Sequence, residues 1–233
     1  MFSYAEKMII DHTHPEYLKV WKTIGASKWN GAYYYSKEIV ENIIPHVQTD
    51  RNWVTVNIHK AKVGVDHAIF FVHSHYYQHP EWYEWLTRYN DLIMVCSTED
   101  DFEMAGKYGT PIYLPLSLDV DYIKQFRTEK TKEIAYAGRL EKCKGIPSSV
   151  PRLHGMERPA FLAELAKYKT VYAVDRVAVE ARILECEVIG DYDYNNAPEE
   201  IIDHKDAVKI LQKKLDEIDK CNRAKSTQKS DKD

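Results

Sequence analysis

Gly138, Arg139 and Lys144 bring together three residue types that serve a phosphate ligand. They stand in IAYAGRLEKCKG (134–145), where a short apolar strand runs straight into a glycine. Without a Cβ, Gly138 lets backbone approach a ligand closely. Arg139 can match two phosphate oxygens with its planar fork, and Lys144 adds a compact point charge. Open α/β sheets bind ligands at the carboxyl ends of their strands, which is where this cation pair falls. A polar turn after a core strand has the same spacing, because short motifs often match by chance.

Histidines form a second constellation. FFVHSHYYQHP puts His73, His75 and His79 just beyond an apolar run, and DHTHP puts His12 and His14 beyond another. A histidine there can hydrogen-bond a hydroxyl or move a proton. Two HxH pairs after strands are also how a metal-dependent hydrolase holds zinc or iron. At 233 residues the chain is short for the (β/α)₈ barrel such hydrolases use, which takes about 250. DVD (119–121) and DYD (191–193) carry the spacing of carboxylates that bridge Mn²⁺ or Mg²⁺ to a diphosphate.

The elements that must position these groups show as apolar runs. MII (8–10), WVTVNI (53–58), AIFFVH (68–73), LIMVC (92–96) and PIYLPL (111–116) read as buried strands separated by helical stretches, the pattern of parallel βα units. In NGAYYYSKEIVENIIP (30–45), Tyr35, Ile39 and Ile43 recur at helical spacing, with Asn30-Gly31 opening the helix and Pro45 stopping it. A second series follows. It comprises IAYAG (134–138), RLHGM (152–156), the helix FLAELAKY (161–168), TVYAV (170–174), the helix VAVEARILE (177–185) and CEVIG (186–190). From Pro198 a long helix is expected, with Glu199 and Glu200 in its first turn. Ile201, Val208, Leu211, Leu215 and Ile218 form its one narrow apolar stripe. Such a stripe can cover the chain's own sheet or join two copies as a homodimer. After Cys221, NRAKSTQKSDKD lacks apolar anchors and is expected to be disordered.

Composition narrows the classes. With 44% hydrophobic and 29% charged residues, the chain is of ordinary globular type, long enough for one large domain or two small ones. A net charge of −4 lacks the basic excess of a dedicated nucleic-acid binder. The 17 tyrosines and five tryptophans suit carbohydrate or nucleotide contacts, and equally an aromatic core. Cys96, Cys143, Cys186 and Cys221 are widely spaced without a CxxC pair, which indicates neither a zinc knuckle nor a disulfide framework. Reduced thiols and a cytoplasmic location are therefore expected. The first residues lack a signal-peptide apolar region, and no run approaches the roughly 20 apolar residues of a membrane span.

The GR…KG string resembles the segment opening the C-terminal domain of GT-B-fold glycosyltransferases, especially the retaining, nucleotide-sugar-dependent type. Further matches follow in order. LIMVCSTED (92–100) looks like the strand and turn closing the N-terminal domain. YGTPIYLPLSLDVDYI (108–123) resembles "i-x-v-i-p-n-G-V-D", and VAVEARILECEVIG (177–190) resembles "EA-x-x-x-G-x-P-V-I". On this resemblance DVD lies in a structural loop. Tyr172 stands where the common family pattern has a glutamate, so TVYAVDRVAVEA looks like a shortened-loop variant with Asp175 as the sugar-proximal acid. Glu185 and Glu187 replace the family's turn glycine and proline.

The resemblance implies a compact, phage-like α/β protein of two Rossmann-like domains facing across a cleft, with a C-terminal helix crossing back to the first. The expected bounds are 1–122 for the acceptor side, 123–198 for a trimmed nucleotide-sugar-binding domain lacking a strand–helix unit between Gly145 and Pro151, 199–221 for the helix and 222–233 for the tail. It implies a hexosyltransferase-type enzyme moving sugar from a nucleotide-diphosphate donor such as a UDP-sugar, without metal or resident cofactor. Gly31, Gly138, Arg139, Lys144 and Glu180 would bind donor, Glu180 through its ribose hydroxyls, while His73, His75 and Asp175 are the catalytic candidates. The acceptor stays open among glycan, metabolite, protein and modified DNA base. A degenerate nucleotide- or sugar-binding protein, and the His-rich metal-dependent hydrolase, are the alternatives.

Overall fold

The computed structural model describes residues 9–10, 31–55, 66–72, 86, 90–138, 145–173, 175–189 and 201–230. In chain order the elements are β1 (Ile9–Ile10), α1 (Gly31–Asn42), β2 (Asn52–Val54), β3 (Ala68–Phe71), β4 (Leu92–Cys96), α2 (Glu99–Ala105), β5 (Thr110–Tyr113) and β6 (Leu116–Ser117). There follow α3 (Val120–Lys124), β7 (Lys132–Ala137), β8 (Arg152–Leu153), α4 (Arg158–Leu165), β9 (Tyr168–Ala173), α5 (Asp175–Ile183), β10 (Glu187–Ile189), β11 (Ile201–Ile202) and α6 (His204–Ser230). This is an α/β protein with parallel sheets. It divides into two compact units, one of Met1–His14, Tyr35–Ser117 and Ile202–Asp233, the other of Pro15–Tyr34 and Leu118–Ile201.

In the first unit β1 to β5 lie side by side in chain order, every pairing parallel. All residues of β3 and β4 are buried, which explains their continuous apolar runs: a parallel sheet is covered on both faces. Because side chains alternate along a strand, Trp53, Ile69, Phe71, Ile93, Val95, Ile112 and Leu114 share one face. They pack in one core with Ile39 of α1, Ile43 just after it, and Ala207, Leu211 and Leu215 of α6. Ala207, Leu211 and Leu215 are thus used against the chain's own sheet. After β4, Thr98 Oγ1 accepts from the Asp101 N–H at 3.2 Å and starts α2, whose first turn holds three acids.

Helix α6 starts at His204, later than the apolar spacing indicates, because Ile201 and Ile202 form the short strand β11 beside β6. Asp203 then accepts from the Lys205 N–H at 2.8 Å and supplies the cap. The helix runs on to Ser230, through residues whose polarity alone suggests a disordered tail. Extending an existing helix needs no new nucleus, which favours continuation.

A charge cluster fastens α6 at the amino ends of β2, β3 and β4. Arg51 is buried and reaches Asp91 Oδ2 at 2.9 Å and Asp219 Oδ1 at 3.3 Å. His67 sits between Asp91 at 2.5 Å and Asp50 at 3.1 Å. Burial pushes the Asp91 carboxyl up, but hydrogen bonds from Arg51 and His67 outweigh it and hold the carboxyl below the usual range. This end lies opposite the ligand-binding edge of such sheets, so we read the cluster as a staple for α6.

The second unit holds one parallel sheet in the order β10-β9-β7-β8. From β7 the chain moves to β8 on one side and then to β9 on the other, so the strand order reverses at β7. The same packing fixes the helix ends. Lys130 Nζ donates to Ala166 O at 2.8 Å and Leu184 O at 2.6 Å, satisfying carbonyls just past α4 and α5.

Glu185 occupies the position where "EA-x-x-x-G" has glycine, and its φ of 63° is the left-handed conformation that glycine supplies freely. The Cys186 N–H donates to Ala181 O at 2.9 Å and the Glu185 N–H to Arg182 O at 2.9 Å, a Schellman cap on α5. The backbone thus holds an L-residue, at the cost of strain, in a conformation that glycine adopts freely. Glu185→Gly is expected to raise stability by roughly 0.5–1 kcal/mol, the relieved strain less the exposed pair with Arg127. A higher urea midpoint with an unchanged slope would show it.

Candidate functional site

Strand order decides where the second unit can take a ligand. In open parallel sheets the crevice lies outside the carboxyl ends of the strands that flank the reversal. Here those strands are β7 and β9. Strand β7 is central, with Tyr136 opposite Tyr172 and Ala137 opposite both Ala173 and Leu153. Its last residues are buried and its two alanines leave little bulk between neighbours.

Gly138 ends β7. A Cβ there would stand 2.9 Å from the hydroxyl of buried Tyr136, so a side chain would require that ring to shift. Arg139 follows in sequence and, with Lys144, lies outside the described residues. Gly145 closes that stretch at φ +84°, a turn conformation glycine adopts without strain.

Beyond β9 stands α5, which carries Glu180. This carboxylate is 1% exposed. Its Oε1 accepts from Arg176 Nε at 2.6 Å, one helical turn earlier, and from Arg158 Nη1 at 3.0 Å, at the start of α4. The Arg158 guanidinium also stands 5.5 Å from the Tyr34 ring. Burial pushes the Glu180 carboxyl up, but the charges of Arg158 and Arg176 prevail and hold it below its ordinary value. Two arginines therefore share one buried carboxylate on the helix that follows β9.

The i,i+4 spacing of Arg176 and Glu180 is legible in the sequence. Arg158, 22 residues earlier, is missed by any local pattern, and only the fold brings it in. Asp175 is the first residue of α5 and Gly31 the first of α1. His73 and His75 lie outside the described residues, as do His12, His14, His79 and the whole of DYD (Asp191, Tyr192 and Asp193). Strand β3 ends at Phe71, and the Val72 N–H still bonds Val95 O at 2.9 Å, so His73 directly follows the sheet's carboxyl end in sequence. In DVD, Asp119 Oδ1 accepts from the Tyr122 N–H at 2.8 Å and caps α3, a structural task. An open groove along the outer side of α6, lined by His46, Gln48, Lys209, Gln212 and Lys213, touches none of these residues.

No protein-family model, curated protein or solved structure matches this chain. Function must therefore be argued from the site. No helix among the described residues is long and apolar enough to cross a membrane.

Proposed function

We propose that the protein is a glycosyltransferase that moves a sugar from a nucleotide-diphosphate donor to a separate acceptor. The observation that carries this reading is the strand reversal at β7. By the general rule for open parallel sheets, that reversal supports a ligand site at the carboxyl ends of β7 and β9, the strands that the GR…KG segment and the EA-bearing helix follow in sequence. Cations at that edge suit a leaving diphosphate, whose charge grows as the bond to the sugar breaks. Arg139 and Lys144 would neutralise it, and Glu180 with Arg158 and Arg176 would shape the nucleoside end. His73, His75 and Asp175 are the candidates for contacts to the reacting sugar. The acceptor is unassigned.

The test is a thermal-shift and turnover screen against UDP-, GDP-, ADP- and TDP-sugars. The expected result is a shift with one nucleotide class and slow release of its diphosphate, with activity unchanged by EDTA because the two cations carry the charge. Binding without turnover would favour a sugar- or nucleotide-binding protein. Loss of turnover in chelator, restored by Mn²⁺ or Mg²⁺, would instead transfer the diphosphate to a metal.

A further inference from the structure

Ser117 and His204 form a buried polar pair in the first unit that the donor site does not use. His204 Nδ1 lies 3.2 Å from Ser117 Oγ, and the two residues are 9% and 8% exposed. Nε2 of the same ring is buried and has no hydrogen-bond partner among the described residues. A buried polar atom left unpaired is costly, and native structures that keep one need a reason. The chain reaches Ser117 four residues after the carboxyl end of β5, and His204 opens the 27-residue helix α6. A helix start presents polar N–H groups, and His204 is the first residue of that helix.

Charge narrows what could complete that bond. Asp203 already caps the Lys205 N–H, and Asp206 occupies the first turn, paired with Lys209 at 2.9 Å. Two carboxylates have thus met the positive end of the helix dipole, and a further anion would be repelled. A neutral hydroxyl would not be repelled, and it can pair with imidazole nitrogen in either tautomer.

We propose that His204 Nε2 is a ligand-binding position in the first unit, hydrogen-bonding a hydroxyl of a neutral polyhydroxy ligand, with Ser117 fixing the ring. The identity of that ligand as the acceptor sugar rests on the glycosyl-transfer reading, and the site itself does not.

Three variants separate the roles of the two nitrogens. His204→Asn places an amide near Nδ1 and keeps the contact to Ser117, while His204→Gln places one near Nε2. Ser117→Ala combined with His204→Leu removes both polar partners together. If Nε2 is held unpaired for a ligand, this double variant unfolds at or above the wild-type temperature. A fall of roughly 3 °C or more, the scale of one lost contact in a chain this long, would mean that the pair is structural and would overturn the proposal. Glucose then serves as the polyhydroxy probe. Sugars raise unfolding temperatures generally, so the readout is the difference between proteins. Wild type and His204→Gln should gain more than His204→Asn and the double variant, and equal gains in all four would also overturn the proposal. Binding of UDP, measured alongside, should be the same in every variant. If wild type itself fails to bind UDP or any other nucleoside diphosphate, the transfer reading fails, while the unfolding and glucose results still judge His204.

Discussion

Replacing Arg139 or Lys144 with alanine is expected to weaken nucleoside diphosphate binding by roughly 1.5–3 kcal/mol each, the worth of a charge-assisted hydrogen bond. Turnover should fall further than affinity. The diphosphate gains charge as it leaves, so a cation stabilises the transition state more than the bound donor. The double variant should lose less than the sum, because both cations serve one ligand. Arg139→Lys should recover only part of the loss, since a point charge cannot reproduce the planar fork. Calorimetry with the diphosphate and single-turnover rates with the matching sugar donor measure the two effects separately. Unchanged affinity in both alanine variants would reduce GR…KG to a surface turn and remove the basis of the proposed chemistry.

The strands of this fold were legible in the sequence because a covered parallel sheet demands unbroken apolar runs. LIMVC is β4 to the residue, and AIFFVH contains β3. The start of α6 was less legible, since apolar spacing cannot tell a helix from a two-residue strand next to it. Ile201 fits the helical stripe, yet it lies in β11, and Asp203 sets the boundary. Local pattern likewise gave the helix that carries Glu180, while the carboxylate itself was singled out by the resemblance. Local pattern could not give the guanidinium of Arg158, nor the pairing of Ser117 with His204, 87 positions apart. Contacts of that range depend on strand order, which no single segment encodes. The left-handed Glu185 shows the converse: a backbone conformation that its residue type does not announce.

Glu180 will show whether the second unit keeps this carboxylate for stability, for ligand, or for both. Side chains of Arg158 and Arg176 are 13% and 12% exposed, so both guanidiniums are largely out of water. Removing one partner of a buried pair leaves the other charges uncompensated, and Glu180→Gln is expected to cost about 3–5 kcal/mol of folding stability. Replacing all three by apolar residues, with Glu180→Leu, Arg158→Met and Arg176→Met, should recover much of that loss. The effect has a pH signature. Because the folded carboxyl is held below the ordinary glutamate value of 4.5, the native state binds its proton less readily than the unfolded chain. Its stabilisation is therefore complete above about that value and is lost as pH falls through the lower folded value. Glu180→Gln should abolish this part of the acid dependence, leaving that of the other lowered carboxylates, Asp50, Asp91 and Glu164. At neutral pH and below its unfolding temperature, the Gln variant should also bind nucleoside diphosphate less well, while free pyrophosphate binding is nearly unchanged. If the loss in stability appears but nucleoside affinity does not move, Glu180 is a structural anchor for the two arginines, and the ribose contact belongs to another residue. If neither changes, the buried cluster is not formed in solution, and the placement of α4 against α5 is wrong.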